Sequence, residues 1–243
     1  MKTLYQAVVT KTSWITSSYL LLTLNVGVTV SVQAGQFAAL QIPGVYLRRP
    51  FSIHDADGTT LSFLIKIVGK GTQKLAELKT GDKISVIYPL GNGFILSDKP
   101  AVLAGGGCGI APLLLLAKQL KNKPTVILGG RTKADIVQLD AFAEYAEVKV
   151  TTEDGTLGTK GFVTAELTSL SQDTAVYACG PEPMLRALHK LAKEKKFELQ
   201  LSLEAMMGCG IGACLGCVTD TKKDGHVCVC TEGPVFKAEE LVW

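Results

Sequence analysis

Five of the seven cysteines crowd the C-terminal part of the chain, at Cys209, Cys214, Cys217, Cys228 and Cys230. The first three are spaced Cys-x4-Cys-x2-Cys, with glycines at 208, 210, 212 and 216. That spacing suits a two-iron, two-sulfur cluster. A loop wraps the cluster and offers several thiolates from one side, and glycine lets backbone N–H groups come close to the sulfides. A structural zinc site would pair two short knuckles across a longer gap. Here only Cys214 and Cys217 form such a knuckle. The fourth ligand is Cys228 or Cys230: Val227–Cys230 reads as a strand, and residues two apart in a strand face the same side. The odd cysteine total and a start (Met1–Thr10) without an apolar core and cleavage site argue against a secreted disulfide framework. Together they predict a reducing, cytoplasmic setting.

A second group of residues suits phosphate and ring binding. Arg49-Pro50-Phe51-Ser52 follows a strand and precedes a turn, placing a guanidinium for a pyrophosphate and a hydroxyl for a flavin edge. Gly69-Lys70-Gly71-Thr72 enters a short helix (73–78) whose first turn and Thr72 hydroxyl suit another phosphate oxygen, with Lys66 adding charge. Gly105-Gly106-Gly107, running into Pro112, joins a strand to a helix and admits a dinucleotide phosphate. It is not the G-x-G-x-x-G fingerprint, and Gly129-Gly130-Arg131 stands where the ribose-binding acid would be. Cys179-Gly180-Pro181 ends another strand at a helix, so two loops at carboxyl strand ends define a crevice. Cys179 either lines a nicotinamide site or is, like Cys108, an inert buried thiol. Arg131 and Lys133 leave NADH against NADPH open, and His54, His189 and His226 form no cluster.

The elements that must hold these residues divide the chain in three. Residues 1–98 read as short alternating strands (near 6–10, 19–33, 36–41, 60–68 and 83–89) and predict an antiparallel β-barrel. Residues 99–198 alternate strands and helices, including helices at 111–120, 162–169 and 183–194, and predict a parallel sheet covered on both faces. Residues 199–243 are too rich in glycine and cysteine for a core of their own and would need a metal. With 47% hydrophobic and 19% charged residues the chain is a folded protein, and a net charge of +3 without a basic stripe excludes a nucleic-acid partner. The uncharged run 12–47 alternates apolar and polar residues, and 101–117 holds Gly105–Gly107 and Pro112, so neither is a membrane span.

In order, Arg-Pro-Phe-Ser-Ile, Gly-Lys-Gly-Thr, Pro-Leu-Gly-Asn-Gly-Phe, Ala-Gly-Gly-Gly-Cys-Gly-Ile-Ala-Pro and Ala-Cys-Gly-Pro-Glu-Pro-Met resemble the flavin and pyridine-nucleotide domains of the ferredoxin reductase superfamily. The cysteine tail, with Cys230-Thr-Glu-Gly-Pro-Val-Phe236, resembles one branch, the electron-transfer subunits of dihydroorotate dehydrogenase B. The resemblance implies FAD at Arg49, Pro50, Phe51, Ser52, Leu64, Ile65, Lys66, Gly71 and Thr72, and NAD at the crevice of Gly105–Gly107 and Cys179–Pro181. It further implies a [2Fe–2S] cluster on Cys209, Cys214, Cys217 and Cys230, with Cys228 a departure from the pattern. The implied partner is an FMN-containing barrel subunit that binds dihydroorotate, two copies of each chain forming a heterotetramer.

A nicotinamide exchanges hydride and a cluster carries one electron, so a flavin belongs between them. The expected activity is electron transfer from the partner through cluster and FAD to NAD+ in pyrimidine synthesis, with no acid or base residue of this chain. A small subunit of an NADPH–ferredoxin oxidoreductase or sulfide dehydrogenase shares this layout. A non-enzymatic iron–sulfur redox sensor is a further alternative, against which both intact glycine-rich sites argue.

Overall fold

The computed structural model describes residues 2–243. The N-terminal part forms a seven-stranded antiparallel half-barrel: β1 (Thr3–Thr16), β2 (Tyr19–Asn25), β3 (Phe37–Gln41), β4 (Arg49–Ser52), β5 (Asp55–Asp57), β6 (Thr60–Lys66) and β7 (Lys83–Leu90). The order is β4-β3-β7-β1-β2-β6-β5, and helix α1 (Lys70–Ala76) follows β6. Leu20, Leu22 and Leu24 alternate inward along β2, and Phe63 and Ile65 do so along β6, as one buried face requires.

Two expectations change here. The alternation through residue 33 does not carry the strand that far: β2 leaves the sheet after Asn25, because Gly27 turns at φ +76°. Arg49–Ser52 is itself a strand, paired with β3, rather than a connection after one.

The second sheet runs β11-β10-β9-β8-β12-β13-β16. Its parallel strands are β8 (Ala101–Gly106), β9 (Thr125–Gly130), β10 (Glu147–Thr152), β11 (Thr159–Lys160), β12 (Ala175–Cys179) and β13 (Glu198–Ser202). Every residue of β8 and β12 is buried, as central strands between two covering layers must be. Helices α2 (Leu113–Gln119), α3 (Leu139–Tyr145) and α4 (Glu182–Lys195) pack on it, and the helix expected near 162–169 is a 3-10 turn, Val163–Leu167. α4 buries Leu185, Leu188, His189 and Ala192 on one face and stops at Lys196, in the left-handed region.

The tail forms a hairpin, β14 (Val218–Thr221) with β15 (Gly225–Cys228), and then returns as β16 (Val235–Lys237), antiparallel to β13. The cysteine segment therefore has no separate core: Cys217, Val229, Cys230 and Phe236 bury against Leu199, Leu201 and Leu185 of the second sheet.

The half-barrel and the second sheet are pinned through α2. His54 Nδ1 meets the Ala111 carbonyl at 2.7 Å, and Lys118 Nζ pairs with Asp55 at 2.7 Å. The Gln119 amide accepts from Ala34 N at 2.9 Å and donates to Val32 O at 3.0 Å. Among the described residues no helix is long and apolar enough to cross a membrane.

Candidate functional site

A cavity of about 290 Å³ opens where the three segments meet. Strands β4 and β6 give it Pro50, Phe51, Ser52, Leu64, Ile65 and Lys66, and α1 gives Thr72. Cys108, Ala111 and Cys179 come from the second sheet's loops, and Glu204, Ala205, Met207 and Pro234 from the ends of the cysteine segment.

Arg49 stands outside this cavity, beside α1: a Cβ on Gly71 would lie 3.8 Å from Arg49 Nε. The sequence signals at 49 and 71 are thus brought together. The neighbouring Arg48 is a structural residue, with Nη1 2.9 Å from Ser85 O and Nη2 2.8 Å from Ser85 Oγ. Among the described residues, Arg49 reaches only the carbonyls of Leu47 (3.3 Å) and Arg48 (3.5 Å). The Thr72 hydroxyl serves its own turn, accepting from Val68 N at 2.9 Å and donating to Gly69 O at 3.0 Å. Lys66 Nζ crosses to the second sheet and pairs with Asp135 at 3.0 Å. Burial opposes the ammonium, but Asp135 and the Tyr19 side chain outweigh it and raise the Lys66 pKa.

Gly105, Gly106, Gly107, Gly180 and Pro181 do not line this cavity. Most of them are needed for packing. A Cβ on Gly105 would stand 2.7 Å from Ile110 Cγ2, and one on Gly106 would stand 2.7 Å from Met184 Sδ. Gly107, at φ +56°, faces open space. The two loops interlock at Gly109, where a Cβ would come 2.3 Å from Cys179 O.

Cys179 is 3% exposed, and burial, with the Glu204 carboxylate adding, pushes its thiol up to about 12. The same two causes raise Cys108. Cys179 is therefore a protonated, weakly reactive thiol, whereas Cys108, expected to be buried like it, is exposed on the cavity wall. Glu204 escaped the sequence reading. It turns into the cavity, where desolvation raises its carboxyl, and its position just beyond β13 carries no motif.

At the cysteine loop the donor set matches a two-iron cluster. Cys209 Sγ accepts three backbone N–H groups, from Ala213 at 3.2 Å and from Ile211 and Cys214 at 3.4 Å. Burial opposes thiolate formation, but these donors and the Cys214 side chain bring Cys209 down to about 6. Left-handed turns at Gly210 and Gly212 shape the loop whose N–H groups meet Cys209 Sγ. Cys209 lies against Cys214, and Cys217 lies against both Cys230 and Cys228. Among the described residues, no three Cys, His, Asp or Glu side chains gather closely enough to hold a metal ion.

Cys228 also touches Cys217, so both candidates for the fourth ligand lie at hand. The strand expected over 227–230 ends at Cys228, where Thr231 N and Glu232 N bond back to the Cys228 carbonyl at 3.1 and 2.9 Å. Cys230 therefore lies in a turn. It is fully buried and receives the Gly212 N–H, and Cys228 is half-buried.

Residues 204–242 match the model of the iron–sulfur cluster binding domain of dihydroorotate dehydrogenase B, and residues 103–190 match that of the oxidoreductase NAD-binding domain. A dihydroorotate dehydrogenase B (NAD(+)) electron transfer subunit from Caldanaerobacter subterraneus subsp. tengcongensis is 41% identical over 215 residues, 86% of this chain and 87% of its own length. The subunit of the same name from Clostridium acetobutylicum is 43% identical over 217 residues, 87% of each chain. This chain belongs to the dihydroorotate dehydrogenase B electron transfer subunit family. Among solved structures, the NADH-dependent reduced ferredoxin-NADP oxidoreductase matches this family member with TM-score 0.88 and 29% identity, covering 98% of this chain and 90% of that one. The ferredoxin reductase of carbazole 1,9a-dioxygenase shares the fold at TM-score 0.72 and 20% identity, covering 81% of this chain and 67% of its own. The ferredoxin-reductase-like architecture expected from the motifs is therefore the one present.

Proposed function

We propose that this chain is the electron-transfer subunit of an NAD+-dependent dihydroorotate dehydrogenase, acting with a separate FMN-bearing catalytic subunit as a heterotetramer of two plus two in the cytoplasm. The observation that carries this reading is the junction cavity, because one space is walled by the flavin-type strands, the nucleotide-type loops and the cysteine segment. We take residues 1–98, 99–198 and 199–243 as the FAD, NAD and [2Fe–2S] segments.

When bound, FAD exchanges hydride with a nicotinamide and single electrons with a cluster. Pro50, Phe51 and Ser52, with Leu64, Ile65 and Lys66, would hold the flavin ring, and Arg49 beside Gly71 and Thr72 would meet its pyrophosphate. Cys179, with Gly180, Pro181 and the turn at Gly105–Gly107, would present the nicotinamide. Cys179 and Cys108 stay protonated there, held so in part by the Glu204 carboxylate on the same cavity. Cys209, Cys214, Cys217 and Cys230 would hold the cluster, and Cys230 is preferred over Cys228 for its burial and its bond from Gly212 N. Met206, Ile211, Leu215 and Val218 leave apolar surface at the cysteine loop, which suits docking of the catalytic subunit.

A second reading, the small subunit of an NADPH–ferredoxin oxidoreductase, draws on the 0.88 TM-score match at 29% identity. The test is reconstitution with the FMN subunit. Dihydroorotate should then reduce NAD+, and an intact complex that turns over only with reduced ferredoxin would overturn the reading.

A further inference from the structure

A second cavity, about 650 Å³, lies away from the redox junction, between α4, β13 and the chain's end. Its floor is apolar, with Phe197 and Leu199 almost fully buried. Its rim carries Lys193, Lys196, Lys222 and Lys237 against two carboxylates, Glu198 and Glu239. Glu198 is drawn away by Lys99 Nζ at 2.7 Å. Lys222 is fixed in place, its Nζ donating to Glu239 O at 2.6 Å and its backbone N to Glu240 O at 2.8 Å. Among the described residues, Lys193, Lys196 and Lys237 have no carboxylate within ion-pair distance. Positive charge is therefore concentrated over a concave apolar surface.

A second observation points to a ligand. His189 lines this cavity, is 3% exposed, and its Nε2 is buried with no hydrogen-bond partner among the described residues. The ring also bonds the backbone of Ala238 and meets the Trp243 ring edge-on at 5.7 Å. A buried ring nitrogen without a partner is costly, and sequences seldom retain one without a use.

We propose that this cavity binds a phosphate monoester with an apolar or aromatic body, its phosphate held by Lys193, Lys222 and Lys237 against His189 Nε2. The lysines favour an anion, here the singly protonated phosphate, and the floor of Phe197 and Leu199 favours an apolar body. His189 selects among anions. The groups facing it are all cationic: Lys193 and Arg186 from its own helix and Lys222 from the hairpin turn, with Glu239 the carboxylate on the rim. A neutral imidazole there offers Nε2 as an acceptor and needs a ligand that brings a proton. Phosphate, with its second pKa near 6, supplies one near neutrality and sulfate does not. One proton is then shared between ring and phosphate, and no covalent bond changes.

The experiment uses the full chain, loaded with its cofactors, carrying Trp14→Phe so that Trp243 is the remaining one of two tryptophans. Inorganic phosphate, phenyl phosphate and sulfate are titrated at constant ionic strength and Trp243 fluorescence is followed. Phosphate and phenyl phosphate should give saturable changes, phenyl phosphate the tighter, with sulfate at least about tenfold weaker. Lys193→Gln and Lys237→Gln, both on the surface, should each weaken phosphate about five- to tenfold, and His189→Gln should erase the preference over sulfate. No saturable change, equal response to sulfate, or lysine variants that bind as tightly as the parent would each overturn the proposal. NADH-driven flavin bleaching should stay unchanged in the lysine variants, which separates loss of this site from loss of fold or of the redox reading.

Discussion

Gly109→Ala tests how closely the nucleotide loops must interlock. The new methyl would meet Cys179 O at 2.3 Å, Cys179 C at 2.5 Å and Gly180 Cα at 2.6 Å, all backbone atoms that no side-chain rotation can clear. Ordinary contact needs 3.4 Å or more, so the Cys108–Ala111 turn and the Cys179–Pro181 loop must separate by about 1 Å. A misplacement of that size at a reacting centre costs on the order of 100-fold in rate, and overpacking of this kind costs about 1–3 kcal/mol in stability. Anaerobic stopped-flow mixing with NADH, following the flavin's visible absorbance, gives the rate; thermal unfolding gives the stability. Gly107→Ala is the control, since nothing lies within 4 Å of its Cβ and only the φ of +56° opposes it, at about 1–2 kcal/mol. It should raise KM for NADH more than it lowers the limiting rate. A Gly109→Ala protein that keeps its cofactors and reduces its flavin within twofold of the parent rate would refute the assignment of these loops to nicotinamide placement.

Cys230→Ser should lose the cluster's visible absorption and electron paramagnetic resonance signal, and Cys228→Ser should keep both; the reverse outcome would reassign the fourth ligand. Leu215→Asp puts a charge on an apolar side chain that is 68% exposed, and should weaken binding of the catalytic subunit by about 1–3 kcal/mol while leaving NADH-driven flavin reduction intact. His54 is 2% exposed, and burial holds its pKa below 6.5 despite its bond to Ala111. The unfolded chain therefore binds the extra proton first, so His54 contributes full stability above pH 6.5 and loses it as pH falls toward the folded value. Denaturant midpoints measured from pH 7.5 down to 5 should fall, and less steeply in His54→Gln. Asp135→Asn removes a half-buried ion pair and should cost under about 1 kcal/mol, read from the same curves.

What could be read from the sequence was whatever is written in short, local spacing. The Cys-x4-Cys-x2-Cys run and the glycine loops each announce a backbone shape that few other residues allow, whereas Arg49–Ser52 did not show itself as a strand. Contacts made across long separations were hidden. Nothing local marks Glu204 as a cavity residue, because its place depends on the end of β13 meeting strands from the half-barrel. Alternation suggested a strand to residue 33, but sheet pairing ends where β6 runs out at Thr60, opposite Asn25. Two-residue periodicity could not part Cys228 from Cys230, because the turn between them closes on backbone bonds. His54 looked like a lone histidine, and its use lies in a carbonyl of a helix cap 57 residues away.

The cysteine segment leaves the second sheet after β13 and rejoins it through β16, with Leu203 N bonded to Pro234 O at 2.9 Å across the neck. Asn92, at the rim of the half-barrel, clasps the same neck by donating to Gly233 O at 2.6 Å and Glu232 O at 2.8 Å. The thiol-bearing stretch is thus a loop drawn closed at its base by hydrogen bonds from both sheets, so a shift of either sheet moves the place where its sulfurs sit.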